Sequence, residues 1–436
     1  MKYLKNMTNK KVLNIFTLCI LIFVPFLQVL SFYLQLYGVL KYYSSINSSM
    51  VMWFCIPFLI YVYVKDIIDK KRKLDVYDYI LYFLVIIGII ISLLAIDFKT
   101  SIFGIEYRRE GLLSLISYYL LFINWKVNGT SHDIKKYTKV FLIIGVINAI
   151  YSLLQIYTNF SFIFRYEDDI HMASGLSGNP NFFGSLMVTL LGIIISKFLM
   201  EKELCKKDIL LTFLFLLSLI NCQSTGPILT YFIFLIFIII LLRLKGKLFY
   251  RKIIVLFLIT LFTFLGVSHA NKSVENDRCE LCDFNETVNT GGNGRIEIWQ
   301  KTLDIIKKHP IVGIGYDNFE FAYPNSKPKI KFYIENGKLE IKEEAGYVVD
   351  NAHNVYLHIL AVSGILGLLP YLILCLYTFI HGLKSNNKIV IILLGGFAAY
   401  SIQAFGNISV IDVAPIYYII IGLILSEKLN KDKALT

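Results

Sequence analysis

Charge is scarce in this sequence. Of 436 residues, 17% are Asp, Glu, Lys or Arg, whereas 56% are hydrophobic and the mean hydropathy is +0.63. Soluble domains carry about a quarter charged residues, so the shortage excludes an ordinary soluble globular chain. An internal repeat, a low-complexity tract and a soluble domain at either end are also lacking. Transporters built from repeats show matched halves with interrupted helices, and this chain has no such symmetry. Its first apolar run, Val12 to about Leu34, lacks a small-x-small cleavage site and exceeds a signal-peptide core, so it reads as a retained span.

What the chain does have is a succession of apolar runs near the roughly 20 residues that cross a bilayer as a helix. After Val12–Leu34 they fall at about 50–64, 78–96, 111–125, 140–157, 182–200, 209–222, 228–242, 253–268, 355–382, 389–405 and 412–426. The expected fold is therefore an all-α polytopic membrane protein of about 12 transmembrane helices. One large loop, 269–352, separates the ninth and tenth spans. The expected division is 1–268 as a membrane bundle, 269–352 as an extracytoplasmic loop with an amphipathic helix, and 353–436 as a second bundle.

The net charge of +12 is distributed as membrane orientation requires rather than as a nucleic-acid surface. Lys and Arg number 26 in the loops at 1–11, 65–75, 126–139, 201–208, 243–252, 383–388 and 427–436, and 5 in the short loops of the opposite set. That asymmetry puts both termini in the cytoplasm and 269–352 outside. At 84 residues the outer loop is longer than a connection and suggests a small folded cap. Of seven cysteines, five lie in or beside apolar spans as small hydrophobes. Cys279 and Cys282 form a C-x-x-C in the outer loop, where a local disulfide persists more readily than in a cytosol.

Polar chemistry is concentrated in Asn293–Gly367. Ile296, Trp299, Leu303 and Ile306 recur at helical spacing, so an amphipathic helix is expected from Arg295 to His309, ended by Pro310, with cap-type chemistry at Asn293-Gly294. Two readings of Arg295 stand side by side: a solvated residue on a membrane-surface helix, or a guanidinium at a helix start that holds a phosphate together with free backbone N–H groups. Gly313-Ile314-Gly315 lacks the context of a phosphate loop and reads as a turn, and Tyr316-Asp317-Asn318-Phe319 equally suits loop packing. His353-Asn354 marks the boundary of the tenth span, where His353 is either an interfacial residue or a base and hydrogen-bond relay. His358, deeper in the span, reads as packing.

Other outer edges add candidates. Arg108 and Arg109 either pair with Glu106 and Glu110 or bind a diphosphate. Arg165 precedes Glu167-Asp168-Asp169-Ile170-His171, a run that supplies too few well-spaced ligands for a metal site. Ser174-Gly175-Leu176-Ser177-Gly178-Asn179-Pro180-Asn181 is a turn-rich entry to the next span that would present backbone N–H groups, with the amides of Asn179 and Asn181, at the outer surface.

In order along the chain, Gly294-Arg295 with Trp299, His309-Pro310-Ile311-Val312-Gly313-Ile314-Gly315 with Phe319, His353-Asn354-Val355-Tyr356-Leu357 and Gly364-Ile365-Leu366-Gly367 resemble the O-antigen ligase/polymerase superfamily of bacterial envelope glycosyltransferases. Ser174-Gly175, Asn179-Pro180-Asn181 and Tyr107-Arg108-Arg109-Glu110-Gly111 resemble its earlier outer loops, and the dense motifs fall at about 174–367. The resemblance implies a multi-pass enzyme of the bacterial cytoplasmic membrane. It takes a polyprenyl-diphosphate-linked glycan to a glycan, lipid or protein acceptor on the outer face, with no nucleotide sugar, metal or other cofactor and no nucleic acid. It further implies that Arg295 binds the diphosphate, that His353 serves the acceptor hydroxyl, and that Arg108, Arg109, Arg165, Asn354, Asn179 and Asn181 complete the substrate site. A departure is Ser224-Thr225-Gly226, where many members of the family have an arginine after the serine; the basic residue before the Ser-Gly turn is likewise replaced, by His171-Met172-Ala173. The rival reading is a transporter or flippase for a lipid-linked or small anionic solute, which requires charge buried mid-span. Lys197 is the one embedded charge in the assigned spans, near a cytoplasmic end.

Overall fold

The apolar runs fold as helices. A computed structural model describes residues 8–36, 46–69, 72, 74–105, 108–158, 172–275, 294–323, 332–335, 338–341 and 349–426. In chain order the helices are α1 (Asn9–Leu36), α2 (Ile46–Asp69), α3 (Val76–Leu93), α4 (Phe98–Phe103), α5 (Leu112–Asn128), α6 (Ser131–Tyr157), α7 (Pro180–Met200), α8 (Lys206–Asn221), α9 (Thr225–Leu244), α10 (Tyr250–Glu275), α11 (Arg295–Lys308), α12 (Phe319–Ala322), α13 (Val355–Lys384), α14 (Lys388–Gln403) and α15 (Ala414–Ile424). Each apolar stretch read from the sequence coincides with one of these helices. Eight helices among the described residues are long and apolar enough to cross a membrane, and α14 and α15 are shorter apolar helices. A two-stranded antiparallel hairpin, β1 (Phe332–Glu335) with β2 (Lys338–Ile341), lies in the long loop. It is a small addition to the all-helical expectation.

The chain forms two compact units: one of residues 1–130, 298–377 and 408–436, the other of 131–297 and 378–407. In the first unit α1 packs on α2, and α5 packs on α2, α3 and α15. The contact of α5 with α15 is close because Gly422 has no side chain: a Cβ there would lie 2.5 Å from the Phe122 carbonyl oxygen. Tyr118 and Tyr418 stack beside it with centroids 5.3 Å apart. Polar side chains tie these helices together. Trp125 Nε1 donates to Thr17 Oγ1 (3.1 Å), Asn124 Nδ2 donates to the Leu59 carbonyl (3.0 Å), and Asn128 donates to Asp66. Away from water such bonds join membrane helices where apolar burial against lipid gives no preference.

In the second unit α7 is almost wholly buried and packs on α8, α9 and α14. Small residues set that approach: a Cβ on Gly192 would stand 2.5 Å from the Gly395 carbonyl oxygen, and one on Gly395 would meet Ser196 Oγ at 1.9 Å. Stripes of Gly and Ser are how membrane helices bring their backbones together. Lys197, the one embedded cation of the sequence reading, donates to both carboxylate oxygens of Asp208 at 2.8 Å and lies 3.7 Å from Glu201. Its charge is balanced at a helix end.

Two expectations are corrected in the long loop and the tenth span. Helix α11 forms where periodicity put it, but its buried residues are Ile298, Thr302 and Ile305, while Ile296 and Leu303 of the expected face are exposed. The buried stripe is rotated because it packs on a protein core containing Ile314, Phe319, Val349 and Ala361. Helix α13 is interrupted at Gly364 (φ 60°), where the sequence shows only an unbroken apolar run. The segment His309–Gly315 fills the break. Ile365 and Leu366 N–H donate to the carbonyls of Pro310 (2.9 Å) and Ile311 (3.3 Å), and Ile314 and Gly315 N–H donate to those of Ala361 (3.1 Å) and Val362 (2.9 Å). Broken backbone inside a membrane helix survives only where protein satisfies it in this way. A Cβ on Gly364 would lie 2.1 Å from the Ile311 carbonyl oxygen, so this position requires glycine.

Candidate functional site

In the first unit the end of the His309–Gly315 segment and the residues just after it, Ile314 to Asn318, form a clamp on the loop between α3 and α5. Ile96 N–H donates to the Ile314 carbonyl (3.1 Å), and Tyr316 N–H donates to Ser101 Oγ (3.1 Å). Asn318 Oδ1 accepts the Asp97 N–H (2.6 Å), while its Nδ2 donates to the carbonyls of Tyr316 (2.7 Å) and Asp97 (3.2 Å). Asp317 Oδ2 accepts the N–H groups of Ile105 (2.7 Å) and Glu110 (3.2 Å). The Gly-Ile-Gly-Tyr-Asp-Asn-Phe motif is thus a structural clip, in line with the loop-packing reading of the sequence.

Arg108 and His353 meet the same region from two sides of the chain. Arg108 Nε donates to Asp350 Oδ2 at 2.6 Å, an ion pair between residues 242 apart in sequence. Arg108 is thus paired with a carboxylate far along the chain, while Glu106, one of the two partners expected from the sequence, lies outside the described residues. Burial alone would raise the Asp350 carboxyl. The Arg108 guanidinium, with smaller contributions from His353 and His358, outweighs it and holds Asp350 below its ordinary value. Asp350 stands three residues before His353, whose N–H donates to Asn351 Oδ1 (3.1 Å). Trp299 Nε1 fastens α11 to the same strip through the Ala352 carbonyl (2.9 Å), and Asn354 caps α13 by accepting the Leu357 N–H (3.0 Å). His358 packs its ring against Phe319, as read from the sequence.

Strain and unusual protonation gather here. Arg109, Asp317 and His353 all have positive φ (59°, 55° and 48°). Such backbone is costly for residues other than glycine and persists where surroundings over-determine it. Arg109 is buried and donates to the Gly104 carbonyl (3.3 Å). Burial pushes the Asp317 carboxyl up to about 6, against its backbone donor Ile105 and the Arg108 charge. Burial likewise carries Glu110 to about 7, although Tyr118 and Ser409 donate to it.

The second unit holds a different constellation. The Ser-Gly turn does not present its N–H groups: Gln155 Oε1 accepts those of Ser174 (3.2 Å) and Gly175 (3.0 Å), and Asn148 Oδ1 accepts that of Leu176 (3.1 Å). Two amides buried in α6 therefore consume what the sequence suggested was available to a ligand. Asn179 caps α7, accepting from Asn181 (2.9 Å) and Phe182 (3.3 Å). Asn181 Oδ1 accepts the Ser224 hydroxyl (2.6 Å), and the Asn181 carbonyl accepts Asn407 Nδ2 (2.9 Å).

Ser224 is the N-cap residue of α9, and its hydroxyl is turned to Asn181, so α9 has no side-chain cap. Three polar groups converge on Gly226 in that uncapped first turn. A Cβ on Gly226 would lie 3.8 Å from Gln403 Nε2, 3.9 Å from Arg295 Nη1 and 3.8 Å from the Gly406 carbonyl oxygen. Gln403 is buried; its Oε1 accepts the Thr230 hydroxyl (2.7 Å), and its Nε2 has no hydrogen-bond partner among the described residues. Arg295 is half-buried, and burial lowers its guanidinium from the ordinary value. A guanidinium, an amide donor and the open end of a helix dipole on one small space suit an anion.

Of the residues singled out from the sequence, the structure brings Arg108, Arg109, His353 and Asn354 into the first unit's polar region, and Arg295 and Asn181 to the entrance of α9 in the second. Asn179 is a cap. Arg165 with Glu167–His171, Glu106, Tyr107, Asn293 and the Cys279/Cys282 pair lie outside the described residues. Missed were Asp350, which has no local pattern, and Gln403. The latter had one signal, an amide closing an apolar run just before Gly406-Asn407.

A search of curated proteins finds no match to the chain. Residues 210–372 match the family model described as O-Antigen ligase, a stretch that includes the entrance of α9, Arg295, the His309–Gly315 segment, His353 and the break at Gly364. That match supports the resemblance of the chain to the O-antigen ligase/polymerase superfamily of membrane proteins.

Proposed function

We propose that the protein transfers a glycan from a polyprenyl diphosphate to an acceptor hydroxyl on the outer face of a bacterial cytoplasmic membrane, with both termini cytoplasmic. Arg295 carries the reading. It stands at the uncapped N-terminus of α9, beside the Gln403 amide nitrogen and the Gly406 carbonyl, where a guanidinium and a helix start favour a phosphoryl group. The acceptor oxygen attacks the anomeric carbon, the bond from that carbon to the diphosphate oxygen breaks, and its electron pair leaves on the polyprenyl diphosphate. Arg295 stabilises the negative charge that grows there, and preorganised donors do this well because they need not reorient during reaction. His353 takes the hydroxyl proton as general base. Its positive φ and the bond from its N–H to Asn351 fix the backbone from which the imidazole projects. Arg108 acts on the protein and not on the substrate. Paired with Asp350, it holds the strip on which His353 sits.

The test is transfer by purified protein supplied with a lipid-diphosphate glycan. Arg295→Ala and His353→Ala each abolish product while the protein inserts normally, and full activity of His353→Ala removes the base assignment. Liposome transport of the substrate with no transferase product supports the transporter reading instead. Deleting the protein and analysing envelope glycans separates two forms of the activity. Shortened chains indicate a polymerase, and full-length polymer left on its lipid carrier indicates a ligase.

A further inference from the structure

Gln403 is a buried amide with half its hydrogen-bonding capacity unmet. Its oxygen accepts from Thr230, and its nitrogen, in a residue only 2% exposed, has no partner among the described residues. A buried donor left unpaired is costly, and native structures keep one chiefly where something absent completes it. The nitrogen faces the first turn of α9, where Gly226 leaves room and where Arg295 Nη1 also arrives. Gln403 Nε2 and Arg295 Nη1 are each within 4 Å of a single point, so less than about 8 Å separates them. One phosphoryl group spans that gap by accepting hydrogen bonds of about 2.9 Å on two of its oxygens.

We propose that Gln403 is a substrate-binding residue whose amide donates to a phosphoryl oxygen of the donor's diphosphate, beside Arg295 and over Gly226. The proposal rests on the diphosphate reading of the preceding section and adds to it a neutral second donor. Thr225, at the start of α9, brings no cation, so the amide and the helix end do there what a second guanidinium would do elsewhere. Gly226 is then required for space rather than for backbone freedom. Its conformation is helical, and a methyl group would meet nothing closer than 3.8 Å, the distance to Gln403 Nε2 and to the Gly406 carbonyl oxygen, while occupying the place of the phosphoryl oxygen.

Binding of inorganic pyrophosphate to purified full-length protein, measured by calorimetry over a range of salt concentrations, tests this. Gln403→Leu and the near-isosteric Gln403→Glu are expected to weaken binding by about 10-fold or more, as loss of a hydrogen bond to a charged group does, with the glutamate variant the weaker. Removing a neutral donor leaves the salt dependence of binding unchanged, whereas Arg295→Gln both weakens binding and flattens that dependence. Gly226→Ala, which suits a helix and disturbs no existing contact, weakens binding comparably even if the Gln403 variants fold poorly. Wild-type affinity in both Gln403→Glu and Gly226→Ala, with Arg295→Gln impaired, overturns the role of Gln403 and leaves the diphosphate reading standing. Wild-type affinity in Arg295→Gln, or no binding by the wild-type protein, overturns both.

Discussion

The polar groups of the two units are organised in opposite ways. In the first unit, Arg108 has Asp350, Asp317 has two backbone N–H groups, Glu110 has Tyr118 and Ser409, and Asn318 is bonded at both ends of its amide. In the second, the entrance of α9 gathers Arg295, an unmet amide and an uncapped helix end around a glycine. The first pattern lowers the energy of the fold. The second leaves the Gln403 amide nitrogen without a partner among the described residues, beside a cation. A cation's role is therefore read from its partners and not from its presence: Arg108 and Arg295 look alike in sequence, and among the described residues a carboxylate stands against Arg108.

This contrast is broken most severely at Gly364. Gly364→Val places side-chain atoms into the Ile311 carbonyl at a positive φ, and is expected to cost more than about 4 kcal/mol. Its check is recovery of folded protein on size-exclusion chromatography, where the variant should be nearly absent. Next in size, Arg295→Ala should reduce glycan transfer about 100- to 1000-fold, the range for loss of a preorganised donor at a leaving group, with the melting temperature unchanged within a degree or two. Arg108→Ala should show the reverse emphasis. It leaves Asp350 unpaired in a nearly dry setting, costing about 3 kcal/mol, visible as a clear fall in melting temperature, and Asp350→Ala in that background should restore part of it. If Arg108→Ala keeps full stability while losing transfer, Arg108 belongs with Arg295 and the comparison fails.

The smallest effect concerns pH. Burial raises Glu110 to about 7 and Asp317 to about 6, so the folded protein keeps protons that the unfolded chain releases between about pH 4 and pH 7. Their contribution to stability is greatest below that window and is lost as pH rises through it. Glu110→Gln fixes a neutral side chain of the same shape. It should therefore melt a few degrees above wild type at pH 8 and converge with it near pH 5, as followed by thermal unfolding in detergent.

Much of the helical framework was legible because it depends on local composition. An apolar run of near 20 residues has few alternatives in a bilayer, and α11 is marked by periodicity and by Pro310. What was not legible depends on chain segments far apart. The stripe of α11 that is buried is decided by the core it meets, so Ile298 and Ile305 replaced Ile296 and Leu303. The break at Gly364 looks like helix in sequence, because the segment that satisfies it lies some 50 residues earlier. At the candidate site, Arg295 and His353 stood out as polar residues where apolar ones are the rule. Asp350 and Gln403 acquire meaning only through partners 242 residues before in one case and 173 residues before in the other.

The central claim is that Arg295 receives the diphosphate of a lipid-linked glycan. Release of polyprenyl diphosphate from such a donor by purified wild type, Arg295→Ala and Arg108→Ala proteins, each normalised to its folded fraction, measures it most directly. The expected result is release by the wild type, release near the wild-type rate by folded Arg108→Ala, and loss of at least about 100-fold for Arg295→Ala. Release by Arg295→Ala at the wild-type rate would contradict the account.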